Sequence, residues 1–137
     1  MSEKKSVPSM DEWLREAKKD KDFRECGMYL FHNGVVRGTA KAKVRMGEED
    51  TQPVTGMDFA YDRDKVEKAV EEARSLPGIH YVRAWLNEGH LEVGDDIMLI
   101  LIGGDIRPRV IDALQTLVGN IKNHCVKETE TYKETEQ

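Results

Sequence analysis

Cysteine is scarce: Cys26 and Cys125 are the only two, and they form neither a CxxC pair nor part of a Cys/His quartet. That spacing supports no structural zinc site and no disulfide framework, so both are read as ordinary thiols, and no metal or cofactor is expected. His124 adjoins Cys125, but neighbours on a strand point to opposite faces, which argues against a thiol–imidazole nucleophile. Long apolar runs are missing too. No stretch approaches the roughly 18 residues of a membrane span, and Met1-Ser2-Glu3-Lys4-Lys5 lacks the apolar region of a signal peptide, so a cytoplasmic protein is expected. Nor is there an excess of positive charge: 21 Lys and Arg face 26 Asp and Glu, a net charge of −5. This excludes a long basic face for nucleic acid but leaves room for a local cationic pocket that takes a small anion. The 137 residues suit a single domain over 1–137, with 1–8 and 133–137 expected to be flexible.

What is present is a series of short periodic segments. Ser9-Met10-Asp11-Glu12 has the S-x-x-E form of a capping box, and Trp13, Leu14 and Ala17 supply the apolar side of a short helix. Residues 27 to 36 read as a strand with β-formers on both faces, and Asn33-Gly34 marks a turn or bulge. Residues 39 to 52 lack a period and contain Gly47-Glu48-Glu49-Asp50 before Pro53, which predicts an exposed, mobile loop. A second strand over 54–61 leads to a helix over 62–75, where Val66, Ala69, Val70 and Ala73 fall at i, i+3, i+4 and i+7 and Leu76-Pro77-Gly78 stops it. A third strand covers 79–86, and Gly94-Asp95 turns into the nearly continuous apolar run Ile97 to Ile102, suited to a buried central strand. Val110, Ile111, Leu114, Leu117, Val118 and Ile121 form one helical stripe, and 126–132 alternates as a final strand. The order is α-β-β-α-β-β-α-β, an α+β layout.

Chemistry concentrates between Gly103 and Lys127. A Gly-Gly-Asp turn opens the last helix beside Arg107 and Arg109, and Lys122 and Lys127 follow its end. Helix-start N–H groups favour anions, guanidinium groups grip phosphate in a fork, and a lysine near apolar residues can act as an acid–base group. Basic residues in a last helical turn also have a plain electrostatic explanation, and Trp13 and Trp85 are read as packing residues rather than stacking platforms.

Four segments in order carry a resemblance. Cys26-Gly27 with Asn33-Gly34-Val35-Val36-Arg37 is similar to an F-x-G-x-V-R signature, with His32 in the place of phenylalanine. Tyr61 to Ala73 ends in Glu71-Glu72-Ala73, similar to a helix ending E-E-A. Gly89-His90-Leu91 with Gly94-Asp95 resembles G-x-L-x-x-G-D, preceded by Leu86-Asn87 where a His-Arg pair is usual. Arg107, after Ile106 in place of histidine, begins a helix that runs to Lys122. The segment from there to Lys127 is about two residues shorter than the pattern and lacks its proline and aromatic residues. In this order the motifs resemble the large, catalytic subunit of molybdopterin synthase over nearly the whole chain.

The resemblance implies an α/β-hammerhead fold and a homodimer within a heterotetramer. It also implies a ubiquitin-like small subunit whose C-terminal Gly-Gly arrives as a thiocarboxylate, so that the sulfur-carrying tail comes from another protein. The implied reaction is a sulfur transfer that converts cyclic pyranopterin monophosphate to molybdopterin, a step of molybdenum cofactor biosynthesis. Lys122 and Lys127 stand at the two catalytic lysine positions, and Arg37, Arg107 and Arg109 become candidates for substrate binding. The homodimer is further expected to use apolar strand surface, since Ile97 to Ile102 is richer in apolar residues than a small monomer needs. Two alternatives remain open: a non-catalytic paralogue that binds a pterin or a small ubiquitin-like partner, and a dimeric module that senses a phosphate ligand.

Overall fold

The short segments assemble into two antiparallel sheets and three α-helices in a computed structural model that describes residues 3–41, 47 and 52–133. In the first sheet β1 (Met28–Val35), β5 (Asp96–Gly104) and β3 (Ile79–Leu86) are neighbours in that order. In the second, β4 (Gly89–Glu92), β2 (Val54–Tyr61) and β6 (Val126–Tyr132) are neighbours in that order. The predicted order of elements is met, with β4 added. That strand has only four residues, too few to show a period in sequence.

Strand β5 lies between two partners and is covered on both faces, which explains its unbroken apolar run. Met98, Ile100 and Ile102 enter the main core, and Leu99 and Leu101 pack beneath Trp13 and Ala17 of α1 (Met10–Ala17). The expectation that this run stabilises a homodimer is therefore corrected. Residues from Met98 to Ile102 are at most 1% exposed within one chain, leaving none of that surface for a second copy.

The predicted cap of α1 forms, with Ser9 accepting from the Glu12 N–H at 3.2 Å. Asp62 caps α2 (Arg63–Arg74) in the same way through the Lys65 N–H, and the four predicted apolar positions of α2 are buried. In α3 (Arg107–Asn120) the buried stripe is Val110, Ala113 and Leu117, continued by Ile121, while Ile111 is 38% exposed. Leu114 and Val118 are half-buried and pack against the same core, so of the expected stripe only Ile111 turns outward. After Asn120 the chain widens into a π-helical turn, Ile121–Cys125. His124 and Cys125 stand in this turn rather than on a strand, so the opposite-face geometry expected of strand neighbours does not apply to them. Burial raises the Cys125 and Cys26 thiols above their usual range, away from the reactive thiolate.

In the leader, expected to be flexible over 1–8, Lys4 pairs with Asp95 and Lys5 has defined partners. Lys5 donates its backbone N–H to Asn87 Oδ1 at 2.7 Å and its ammonium to Tyr61 and the Leu86 carbonyl. Asn87, 2% exposed, also donates to the Asp96 carbonyl, so the residue that departs from the His-Arg pattern clamps leader to sheet. Of the loop expected over 39–52, residues 42–46 and 48–51 lie outside the described residues. Among the described residues no helix is long and apolar enough to cross a membrane.

Candidate active site

A bulge at Gly34/Val35 ends the regular pairing of β1 with β5 and turns Val35 and the chain beyond it toward the second sheet. Val36 is fixed by exchange with the Gly94-Asp95 turn: its N–H donates to the Asp95 carbonyl and its carbonyl accepts from the Gly94 N–H, both at 2.9 Å. Gly94 has φ +91°, which an L side chain adopts only at a cost, and this explains the glycine. The Glu92 N–H, helped by Lys4, holds the Asp95 carboxyl below its usual range and closes the turn. Two motifs distant in sequence thus act together to deliver Arg37.

Arg37 borders a pocket of about 340 Å³, within the size range of small-molecule sites. Lys122 enters the same pocket from the π-helical turn, and Lys41, Glu128, Thr129, Glu130 and Tyr132 complete its polar lining among the described residues. Glu128 is the unusual member: its side chain is only 14% exposed and lies between two lysines. Lys122 Nζ stands 3.3 Å from Oε1 and Lys41 Nζ stands 3.5 Å from Oε2. The Lys122 contact is ionic without hydrogen-bond alignment, since Oε1 has no hydrogen-bond partner among the described residues. His32, at the position of the signature phenylalanine, has a buried Nε2 likewise without a partner among those residues. Burial first, and the charge of Lys122 second, lower its pKa below 6.5, which keeps the imidazole neutral near pH 7.

The five site residues expected from sequence are not all brought together. Arg37 and Lys122 meet at the pocket. Lys127 does not line it: β6 alternates, placing Glu128 opposite buried Phe59 and Lys127 opposite exposed Ala60, on the other face. Lys127 instead borders a separate groove with Asp58, Glu88, Gly89 and Thr129. Arg107 and Arg109 stand at the far end of α3, about 20 Å from Lys122 at 1.5 Å per helical residue. Arg109 is paired with Asp105 at 2.7 Å, and Asp105 also accepts the Ile106 N–H at the helix start.

Sequence reasoning missed Lys41, Glu128 and Glu130. For the two glutamates a signal existed, since an acidic residue on the inward phase of an alternating strand is costly unless paired. For Lys41 there was none, because it follows a stretch without a period.

The sequence profile of the MoaE protein family matches residues 4–124. Among solved structures the fold is similar to molybdopterin synthase from Staphylococcus aureus, with 17% identity, TM-score 0.70, and coverage of 93% of this chain and 88% of that one. It is also similar to a molybdopterin biosynthesis MoaE protein from Burkholderia ambifaria, with 16% identity, TM-score 0.67, and coverage of 93% and 82%. A third similar structure belongs to a complex of subunits 1 and 2 of molybdopterin-converting factor from Helicobacter pylori, with 16% identity, TM-score 0.62, and coverage of 91% and 80%. No curated protein matches. The family match supports a role in molybdenum cofactor biosynthesis. The profile spans most of the sequence, and the chain belongs to the MoaE protein family.

Proposed function

We propose that this chain is the catalytic subunit of a molybdopterin synthase, which moves sulfur from a thiocarboxylated small subunit onto cyclic pyranopterin monophosphate. The observation that carries the reading is the meeting of Arg37 and Lys122, from opposite ends of the sequence, at one pocket of small-molecule size. The Arg37 guanidinium would hold the substrate phosphate, since its fork neutralises and orients such a group. The Lys122 amine would assist sulfur transfer by moving a proton or by stabilising the oxyanion that forms at the partner's terminal acyl carbon.

The Helicobacter complex of two subunits supports a small partner here. Its tail would be extended and end in Gly-Gly, because only glycine lets a backbone pass between closely set side chains. Lys127, facing the neighbouring groove, would contact that tail rather than the pterin. Arg107 and Arg109 lie too far from Lys122 to share a ligand with it in one chain, so their part in substrate binding requires the homodimer, in which a second copy supplies them.

The position of Lys127 outside the pocket favours one other reading, a paralogue that binds pterin or partner without turnover. One assay separates the two. The protein is mixed with thiocarboxylated small subunit and cyclic pyranopterin monophosphate; molybdopterin formation supports the enzyme, and binding without product supports the paralogue.

A further inference from the structure

The pocket holds a second amine besides Lys122, and it comes from a part of the chain that no motif marks. Lys41 is anchored twice. Its backbone N–H donates to the Glu130 carboxylate, at 3.3 Å to Oε1 and 3.1 Å to Oε2, and its ammonium stands 3.5 Å from Glu128 Oε2. The adjacent Ala40 is 2% exposed, which ties down the chain just before it. Glu130 is held in turn by the Tyr132 hydroxyl, which donates to its Oε1 at 2.9 Å. A lysine restrained at backbone, neighbour and ammonium differs from an ordinary surface lysine, whose long side chain loses freedom when it is held.

Glu128 explains how two ammonium groups can share so small a space. Each would repel the other without a counter-charge, and the carboxylate between them offers one oxygen to each. Burying a carboxylate is costly, and the cost is offset here by two cations rather than one. Among the described residues, and with Arg37 counted, three cations face two carboxylates around the pocket, a balance of one positive charge toward an incoming anion.

We infer that Lys41 is a second substrate-contacting amine of this pocket, paired with Lys122 to grip an acyl or phosphoryl anion, and that Glu128 positions both lysines. The assignment rests on the proposed function for its substrate but not for its test. An anion that enters the pocket gains from both ammonium groups and competes with Glu128 for them. Removing the Glu128 charge therefore has two opposite effects: anion binding strengthens, because the competitor is gone, and turnover falls, because the amines are no longer held in place. A merely structural glutamate would weaken both together.

The test uses inorganic phosphate as the probe, titrated into the full chain and followed by NMR, alongside the molybdopterin assay. Lys41→Ala is expected to weaken phosphate binding roughly tenfold, the loss of one charge-assisted contact, and to lower turnover. Lys68→Ala, on exposed α2 surface, controls for net charge and should leave phosphate affinity within about twofold. Glu128→Gln, of the same shape, should tighten phosphate binding while turnover falls. Phosphate affinity unchanged in Lys41→Ala, equal weakening in Lys127→Ala, or no phosphate binding by the parent protein would each overturn the assignment of Lys41. Glu128→Gln that lowers affinity and turnover together, or changes neither, would overturn its positioning role. If no variant and no parent protein makes molybdopterin, the functional reading fails while the phosphate titration still decides the two-amine site.

Discussion

Replacing Lys122 with alanine separates chemistry from folding. The lost interaction is an ion pair with Glu128 at 3.3 Å, made by a side chain 31% exposed. Exposed pairs contribute about 0.2–1 kcal/mol and pairs with a buried partner more, and alanine suits a helical turn at least as well as lysine does. Glu128 is not stranded, because Lys41 remains beside its other oxygen. A domain of this kind has about 5–15 kcal/mol of stability, so even after a loss of about 3 kcal/mol it stays about 97% folded at the low end. Unfolding therefore cannot explain more than a trivial drop in rate. Loss of an acid–base or oxyanion-stabilising amine should cut molybdopterin formation by roughly 10²–10⁴-fold. The assay is product formation with thiocarboxylated partner, next to circular dichroism and thermal melting of the same sample. Lys122→Arg keeps the charge and the pairing with Glu128 but cannot give up its proton at working pH, so it should recover only part of the rate. Wild-type turnover in a folded Lys122→Ala protein would refute the assignment and favour the binding-only paralogue.

His32 has a lowered pKa, so the unfolded chain takes up its proton first; the stability His32 contributes is complete above about 6.5 and is lost as pH falls from there to the folded pKa. His32→Phe should remove that slope, and denaturant midpoints that fall equally in both proteins between pH 7 and 5 would show that another group is responsible. Gly27→Ala should destabilise by about 1–3 kcal/mol in urea unfolding, because a Cβ there would overlap the Asp105 carbonyl, which is backbone and cannot rotate away. An unchanged midpoint would mean that the turn after β5 is softer than its packing implies. Deleting the two terminal glycines of the small partner should abolish sulfur transfer while part of the binding survives, and a truncated partner that still donates sulfur at full rate would exclude the threaded tail.

Much of the architecture was legible because local physics agreed with tertiary need. The Ser9 and Asp62 caps, the four buried positions of α2 and the central place of β5 all follow from side-chain chemistry and period. Strand β4 escaped notice because four residues carry no period, and Ile111 misled because hydrophobicity does not reveal which flank of a stripe the sheet covers. The apolar run of β5 suggests spare surface for a dimer only because the sequence does not show that α1 folds over its second face.

The amino-acid sequence by itself determined the α+β order, the place of Arg37 after its glycine bulge, and the lysine that ends the last helix. These depend on contacts within a few residues or on periods repeated along one element. Which charges share a pocket was decided only by tertiary structure. A single step in the alternation of β6 sends Lys127 outward and Glu128 inward, and the pairing of β6 with β2 sets which of those phases is buried. Lys41 joins Lys122 because Glu128 and Glu130 draw a segment without any period of its own back to the sheet, a long-range attraction that no local pattern records.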